Sequence, residues 1–485
     1  MRVGIMTIRR ILSGLVLLAG VVVSVVVARA DVDSEPAVFA TSFQPGTPAV
    51  FARKDSITST WFCGGTSALG SSPEGEYGGE LVITNPSDEV STALVTILTT
   101  DQAPMAQVLT IEARTREIVD IDAMVKASYA SAYVEIDSPE SSVEQRAIHP
   151  AGVAVSACAN QTSSEWYFPD GFTASSSDLR ILVSNPYLTP SIVDISIATQ
   201  EGPRSPSNLQ GFVIPARSLR VLNIAQVGFR DEKVVAVSVQ AKSGRVVASK
   251  YQHYLGTGRL GHVMALGAPS LSDQWWFADG EKGSGITENF MILNPTKQSV
   301  TADVVILGLD PESAPLTPTS VTIPPGEVVI FDVSTIAGLP DGPHGAVITS
   351  RTGDAIVVER VLTRPVDGTF ATTSVIGAQR GFLSGRWRVS VGPSLAIDSA
   401  LVVLNTSGGP TTVSILLLGP GGEVEVEGLT GLELPANGLL RLDITNPDLV
   451  GRSLAVESEQ PILVERRLER NSSLRGRSGS LALPE

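Results

Sequence analysis

Apolar and polar residues alternate along this chain in a pattern that recurs four times. In each occurrence an apolar run ends at an asparagine, as in LVITNP, ILVSNP, FMILNP and LVVLNT. Apolar side chains follow eight, ten and twelve residues later, with polar residues such as Asp194 and Ser196 between them. The asparagines are Asn85, Asn185, Asn294 and Asn405, which lie 100, 109 and 111 residues apart. Alternation with period two predicts a half-buried β-strand at each occurrence.

A tryptophan opens each repeat, and a strand that carries a basic residue closes it. The tryptophans are Trp61, Trp166, Trp275 and Trp387, and the basic residues are Arg146, Lys250, Arg360 and Arg466. No segment sustains the 3.6-residue period of a helix. The sequence therefore predicts an all-β fold of tandem immunoglobulin-like antiparallel β-sandwich repeats, each with about seven short strands in roughly 100 residues. A barrel or a blade-like arrangement is the structural alternative.

The repeats divide the chain into segments. We expect β-sandwich repeats at residues 57–159, 160–271, 272–380 and 381–470. The fourth is diverged, because it opens with Trp387-Arg388-Val389 and has Asn405-Thr406 where the others have Asn-Pro. Residues 31–56 are predicted to form a stalk linker, and residues 471–485 a disordered tail.

The N-terminus carries a membrane signal. Residues 11–28 are apolar and uncharged, Arg2, Arg9 and Arg10 precede them, and acidic residues follow. This pattern predicts a signal anchor at residues 1–30, with its basic end in the cytoplasm and the repeats outside. Repeat one would then lie nearest the membrane and repeat four farthest from it. The alternative is a secreted chain, released by cleavage after Ala30 within the small-x-small motif Ala28-Arg29-Ala30.

The amino-acid composition limits the classes of molecule that we expect this protein to bind. Apolar residues make up 43% of the 485, which is enough for packed cores and excludes global disorder. The formal net charge is −15, and an acidic surface repels phosphate backbones, so we expect no nucleic acid partner.

Cys63 and Cys158 are the two cysteines of the chain. In an exported protein such a pair predicts a disulfide, whose loop of about 95 residues would stabilise the fold by roughly 4–5 kcal/mol in the chain-entropy model. Two free thiols are the alternative. Two cysteines and four scattered histidines offer no zinc-ligand spacing, so no metal site is predicted.

Candidate chemistry elsewhere is weak, and we predict no catalytic residue and no cofactor. The segment Gly256–Gly261 matches G-x-G-x-x-G, but it lies between repeats without a βαβ frame. Asp170-Gly171 and Asp279-Gly280 are explained by turn chemistry. The repeated tryptophans are best explained as core residues. The second aromatic residues, Tyr167 and Trp276, are the better candidates for exposed rings that stack on a ligand.

The combination of motifs resembles a known family. The opening W-[YW]-F-x-[DE]-G, the strand that ends at Asn-Pro and the closing strand with [ED]-R are similar to secreted or membrane-anchored actinobacterial envelope proteins, catalogued only as a domain of unknown function. The two central repeats match best. The resemblance implies an envelope location and a sandwich fold, and it implies no activity.

These observations favour a non-catalytic scaffold or interaction protein of the cell envelope, with envelope proteins as partners. The alternative is an array of carbohydrate-binding modules that recognises cell-wall polysaccharide through exposed aromatic rings. A third hypothesis is a hydrolase with an unrecognised site. A cleft with paired carboxylates about 5–10 Å apart would favour it if the substrate were a glycoside.

Overall fold

The computed structural model describes residues 46–52, 56–73, 75–256, 258–310, 316–366, 368–390, 397–419, 422–444, 446–449, 452–470 and 477–485. The fold is all-β, with 62% strand and 4% helix, and its antiparallel sheets remain open. The apolar segment 11–28 lies outside the described residues. Within the described ranges, no helix has the length and apolar character needed to cross a membrane.

Repeat one contains nine strands and one helical turn. They are β1 (Ser59–Ala68), β2 (Gly70–Ser72), β3 (Gly75–Asn85), β4 (Ser91–Thr99), β5 (Met105–Ile111), β6 (Thr115–Asp120), helix α1 (Ile121–Met124), β7 (Ala127–Ile136), β8 (Ser142–His149) and β9 (Gly152–Ala157). One sheet has the order β1-β7-β4-β5. The other has the order β2-β3-β8-β9, with β6 also paired to β3.

Repeat two has the same plan. Its strands are β10 (Glu165–Phe168), β11 (Asp178–Asn185), β12 (Ser191–Thr199), β13 (Gly202–Arg204), β14 (Phe212–Ile214), β15 (Ser218–Asn223), β16 (Ala236–Ser243), β17 (Val247–Tyr254) and β18 (Gly261–Leu266). Short 3₁₀ turns occur at Ala174–Ser176 and Ser207–Leu209. The sheets are β10-β16-β12-β13, with β14 on β12, and β15-β11-β17-β18.

Repeat three also follows this plan. Its strands are β19 (Gln274–Lys282), β20 (Thr287–Leu293), β21 (Val300–Leu307), β22 (Thr319–Ile323), β23 (Val328–Asp332), β24 (Gly342–Ser350), β25 (Val357–Val366), β26 (Thr369–Ile376) and β27 (Ala378–Gln379). Turns of 3₁₀ helix occur at Val333–Thr335 and Arg380–Phe382. The sheets are β22-β21-β24-β19-β27 and β23-β20-β25-β26.

Repeat four joins its two sheets through one long strand. Its strands are β28 (Ser384–Ser390), β29 (Ile397–Asn405), β30 (Thr411–Gly419), β31 (Gly422–Glu425), β32 (Leu432–Leu434), β33 (Leu439–Ile444), β34 (Ser453–Arg470), β35 (Arg477–Leu481) and β36 (Leu483–Pro484), with a 3₁₀ turn at Pro447–Leu449. The first half of β34 pairs with β28 and β30, and its second half pairs with β29 and β35.

The strand order within each repeat differs from the expected immunoglobulin-like order. In that fold the first strand pairs with the second, and the last strand lies in the opposite sheet. Here the tryptophan strand pairs with the strand before the closing one, as β1 does with β7. The closing strand pairs with the asparagine strand, as β8 does with β3. Relative to the immunoglobulin order, the tryptophan strand and the closing strand have therefore exchanged sheets, and all four repeats show the exchange.

The predicted core positions are confirmed. Trp61, Trp166, Trp275 and Trp387 are buried, and each indole N–H donates to a backbone carbonyl, which lies just before the closing strand in repeats one to three and within β34 in repeat four. The side chains eight, ten and twelve residues after each asparagine are buried, except that Ile306 and Leu417 are half-buried. One face of these strands therefore supplies the core of each sandwich.

Each repeated asparagine joins two turns. Asn185 Nδ2 donates to the carbonyls of Thr189 (2.8 Å) and Ile214 (3.2 Å), and its Oδ1 accepts from the N–H of Tyr187 (3.0 Å). The other three asparagines make the same contacts. A buried amide with all of these bonds fixes the strand end to the following turn, which explains the residue type.

The four repeats form a cyclic arrangement, which we call the ring, rather than a linear row. The strand that pairs with the closing strand and directly follows it in the chain, which we call the inner strand of the repeat, is β9, β18, β26 or β35. Strand β9 contacts β18 and β35, and β26 contacts the same two strands. Repeat four therefore lies against repeat one, which corrects the expectation of a row that leads away from the membrane. Gln44–Glu485 constitute one compact unit.

Two segments expected to be irregular are packed. Residues 477–485 form β35 and β36, with Leu483 buried, so the predicted disordered tail instead supplies the inner strand of repeat four over these residues. Part of the predicted stalk also lies on the body. The Gly46 N–H donates to Ser163 Oγ (2.7 Å), and the Phe51 ring meets Trp61 edge to face.

Cys63 and Cys158 form the predicted disulfide, with a Cα–Cα distance of 4.4 Å. They lie where the segment after the inner strand returns to the tryptophan strand, next to the paired residues Phe62 and Ala159. The register places Phe168 and Gly267, Phe277 and Gly377, and Val389 and Ala482 at the corresponding positions of the other repeats. A Cβ on Gly267 would lie 2.8 Å from the Phe168 ring. In repeat one the disulfide thus replaces a ring packed on glycine.

This equivalence predicts that a second disulfide can be introduced into repeat four. Val389→Cys combined with Ala482→Cys should form a bond, because these buried side chains occupy the positions of Cys63 and Cys158. Val389→Cys combined with Leu483→Cys is the control, since one residue of offset turns the side chain to the other face. Thiol titration of denatured, unreduced protein should find no thiol in the first variant and two in the control. Two thiols in the first variant would contradict the equivalence.

Candidate functional site

Buried charged side chains link neighbouring repeats at the centre of the ring. Each link joins a basic residue on one closing strand to a glutamate on the closing strand of the next repeat. The links are Lys250 Nζ to Glu359 Oε1 (2.5 Å), Arg360 Nη2 to Glu465 Oε2 (2.6 Å) and Arg466 Nη2 to Glu144 Oε1 (3.1 Å). All six side chains are at most 5% exposed. We call these three pairs the ion-pair belt.

Strand register places the belt residues. Lys250, Arg360 and Arg466 lie opposite the residue four positions before the repeat asparagine, and the glutamates lie opposite the next residue. In repeat one the basic position is occupied by Gln145, opposite Leu81. Arg146, which the sequence aligned with the other basic residues, is one residue farther along and pairs with Glu80 (3.2 Å). The belt therefore depends on the register between the paired strands, which the sequence motif alone does not specify.

The junction between repeats one and two has no ion pair of this kind. Its two belt positions are Gln145 and Ser249, both buried. Gln145 Oε1 accepts from the N–H of Gly65 (3.0 Å), and a Cβ on Gly64 would lie 2.3 Å from the Cβ of Ser249. Within the described part of the chain, Gln145 Nε2 and Ser249 Oγ have no hydrogen-bond partner. Neutral groups thus occupy the fourth place in the belt.

A second layer of carboxylates reinforces the belt in repeat two. Asp170 Oδ2 accepts from the Tyr254 hydroxyl (2.7 Å), and Asp170 Oδ1 accepts from Arg259 (2.9 Å). Burial alone would raise the pKa of Asp170, but Arg259 and Lys250 lower it below its ordinary value. The Asp170 N–H also donates to Glu359 (2.9 Å). Its carboxylate is therefore bound to cationic side chains in the interior.

Asp279 has the same role in repeat three. It accepts from Arg364 (3.0 Å) and from Arg467 of repeat four. Burial opposes ionisation, yet the two guanidinium groups hold the pKa of Asp279 well below its usual range. Within the ranges that the structure describes, no group of three or more His, Cys, Asp or Glu residues has a metal-binding arrangement.

The belt can be tested with a double-mutant cycle at Arg360 and Glu465. Glu465→Leu or Arg360→Met alone should lower the free energy of unfolding by about 3–5 kcal/mol, because each leaves a buried charge unpaired. The double variant should lose much less than the sum, since no buried charge remains at this pair. Chemical denaturation measures all four proteins, and Arg351→Met, at an exposed pair with Asp303, is the control with little effect. Additive losses would contradict the coupling.

Three of the four histidines meet where repeats one and two join. The His149 ring stacks on His262 (4.7 Å between centroids) and meets His253 (4.4 Å), while Tyr251 lies against His262 (4.3 Å). His262 is buried. Burial and the nearby His253 lower the pKa of His149 to about 4, and burial also lowers the pKa of His253 and His262. The fourth histidine, His344, lies beside Glu288 in repeat three.

These histidines predict that stability falls in acid. Their pKa values are lower in the folded state, so the unfolded chain binds more protons between pH 6.5 and about 4, and stability is lost as pH falls through that window. His149 alone would account for about 3 kcal/mol, at about 1.4 kcal/mol per pKa unit. His149→Gln should therefore flatten the dependence of unfolding free energy on pH. Tyr251→Phe is the control, because its hydroxyl has no partner in the described residues. Equal pH slopes in wild type and His149→Gln would refute this account.

The two aromatic residues predicted to stack on a ligand differ in their surroundings. Tyr167 is 1% exposed, and its hydroxyl donates to Glu165 (2.9 Å), so the expectation of an exposed ring at Tyr167 is corrected. Trp276 is half-buried, donates to Gln274 Oε1 (3.0 Å) and packs against the core of repeat four. Both residues follow the core tryptophan and lie at a contact with the next repeat, which explains their burial.

The described part of the unit contains an apolar cavity and a larger cleft. An apolar cavity of about 130 Å³ is lined by the four inner strands, the 47–49 segment, Trp166, Trp275 and Trp387. A larger cleft of about 950 Å³ lies between repeats one and four, and we call it the seam cleft. Phe51 and Phe382 line the seam cleft together with a network in which Arg386 and Arg388 pair with Glu423 and Glu485.

Comparison with known proteins gives one family match. The model of a family of unknown function (DUF5719) matches residues 145–258. None of the curated proteins matches. The matched segment runs from the closing strand of repeat one through repeat two, so it covers about one repeat.

Solved structures resemble the chain only distantly. A Thermotoga maritima protein, 1070, is 16% identical, covers 22% of this chain and 95% of its own, and has a TM-score of 0.20. A tetra-tandem repeat from the extending region of a large adhesion protein is 11% identical over 83% of this chain and 98% of its own, with a TM-score of 0.12. A Streptomyces avermitilis α-L-rhamnosidase is 10% identical over 88% of this chain and 45% of its own, with a TM-score of 0.14.

Sequence reasoning did not identify the belt glutamates. Glu359 and Glu465 stand in VVERVL and LVERRL, where a charged pair interrupts an otherwise apolar strand. Such a pair is costly to bury alone, and it therefore signals a partner from another segment. The sequence could not name that partner, because Arg466 and Glu144 are 322 residues apart.

Proposed function

We propose that the protein is a non-catalytic scaffold of the cell envelope that presents a rigid ring of four β-sandwiches to partner proteins. The observation that carries this proposal is the ion-pair belt. Perturbed carboxyls in an open cleft would favour catalysis. Here Asp170 and Glu359 have perturbed pKa values, but both are buried and bound to basic groups, which leaves no room for a substrate.

The proposed location is the outer side of the cytoplasmic membrane. The apolar segment 11–28 with its preceding arginines supports an anchor, and cleavage after Ala30 would give a secreted form instead. The Cys63–Cys158 disulfide supports an oxidising compartment. The resemblance to actinobacterial envelope proteins supports the same location.

Affinity capture after cross-linking in intact envelopes tests the scaffold. The wild-type protein should recover a reproducible set of envelope proteins. Arg466→Met, which breaks the link between repeats four and one, should lose them if the ring presents the binding surface. Lys242→Met, at an exposed pair with Asp194, is the matched control and should retain them. Recovery of no partner by the wild type, or release of soluble products from envelope polymer by the purified protein, would overturn the proposal.

The second candidate function is binding of cell-wall polysaccharide, and the seam cleft favours it. The cleft combines aromatic rings with hydrogen-bonding charged groups, as saccharide sites require. Trp276 is a less suitable platform because it is half-buried. Phe382→Ala should reduce co-sedimentation with insoluble wall polysaccharide, whereas Phe370→Ala, at an exposed ring outside the cleft, should not. Absence of wild-type binding would remove this candidate.

A further inference from the structure

We propose that strand β5 of repeat one pairs with β5 of a second copy of this chain, giving a two-fold symmetric dimer. Strand β5 is the edge of the sheet β1-β7-β4-β5, and no described strand pairs with its outer side. Proteins usually protect such edges with short strands, prolines or charges. The inference does not depend on the proposed function.

The other three repeats protect the corresponding edge. In repeat two it is split into two three-residue strands, β13 and β14, and β13 contains Pro203 and Arg204. In repeat three β22 has five residues, and the Arg351–Asp303 ion pair lies beside its Ser320. In repeat four it is split into β31, which contains two glutamates, and β32. Strand β5, with the sequence MAQVLTI, has seven residues and neither a proline nor a charge.

The face beside this edge is also unusually apolar. The residue nine positions after the repeat asparagine is Asp194, Asp303 or Ser414 in the later repeats, but it is Leu94 in repeat one. Leu94 lies directly opposite Val108 of β5, and the two side chains are 36% and 65% exposed. Repeat one therefore has an exposed apolar pair where repeats two and three have an acidic side chain in an ion pair.

A groove beneath the edge offers further apolar surface. It measures about 410 Å³ and lies between β5 and β6, the edge strands of the two sheets. Met105, Leu109, Ile118 and Met124 line it, and Met105 and Ile118 are exposed. A strand added to β5 would direct alternate side chains over this groove, because side chains alternate between the faces of a sheet.

A second copy fits this edge because β5 is complementary to itself. In an antiparallel pair centred on Val108, Gln107 meets Leu109, Ala106 meets Thr110 and Met105 meets Ile111, so no charge opposes another. This matters in a chain whose net charge is −15. Glu135 of β7 is an acidic residue in the same cross-strand row as Leu94 and Val108, and it lies two strands from the edge. That separation is roughly 10 Å, at which charges are largely screened at physiological salt. Isologous contacts of this kind close as dimers.

Cysteine cross-linking tests the pairing directly. Val108→Cys in the purified full-length protein should give a covalent dimer under oxidation, because directly opposed residues of an antiparallel pair have Cβ atoms about 4.5–5.5 Å apart. The native cysteines do not interfere, since both are in the disulfide. Val213→Cys, on the edge of repeat two and 48% exposed, is the control and should remain monomeric on a non-reducing gel.

Sedimentation velocity supplies the second measurement. The wild type should show a concentration-dependent dimer, and Val108→Lys should raise its dissociation constant at least about tenfold, because like charges would face each other across the pair. Val213→Lys should leave the dimer unchanged, and both lysine variants should melt as the wild type does. The proposal would be overturned if the wild type is monomeric or if the Val108→Lys variant dimerises as the wild type does. It would also be overturned if both cysteine variants cross-link equally, or if Val108→Cys cross-links to a different protein.

Discussion

The buried ion-pair belt is the interaction on which the arrangement of this molecule depends. A charged group removed from water is costly unless an opposite charge and hydrogen bonds meet it. Arg360 and Glu465 are each 1% exposed and belong to different repeats, so neither repeat can satisfy its own charge. Glu359 of repeat three likewise pairs with a basic residue of another repeat, Lys250 of repeat two. These ion pairs therefore hold the four sandwiches together as one compact unit, although each sandwich could have folded as a separate domain.

The belt also defines the order of the repeats around the ring. A basic residue always comes from the earlier repeat and the glutamate from the next, and the last link returns from repeat four to Glu144 of repeat one. Such a link requires the inner strand of repeat four to lie beside that of repeat one. Residues 477–481 meet this requirement as β35, and Ser478 Oγ accepts from the N–H of Val155 (3.1 Å).

Repeat one departs from its neighbours at several places. It supplies a neutral glutamine to the belt, replaces an aromatic ring on glycine with the Cys63–Cys158 disulfide, and contributes His149 to the cluster shared with repeat two. Its sheet β1-β7-β4-β5 ends in the uncharged strand β5. The junction between repeats one and two therefore relies on aromatic contacts and on arginine–tyrosine contacts where the other junctions have buried ion pairs. Such a junction responds to pH through its buried histidines, whose pKa values burial lowers.

The sequence by itself determined everything that depends on local periodicity. The four asparagines, the alternating residues after them and the buried tryptophans identified the repeats, because a half-buried strand requires period two. The cysteine pair identified the disulfide. Tertiary structure alone decided the ring, the partners of Asp279 and Glu465, the packed segment 477–485 and the burial of Tyr167. These features depend on strand register and on contacts between residues far apart in the chain. A strand's own pattern states which face is buried, but not which distant charge will meet it there.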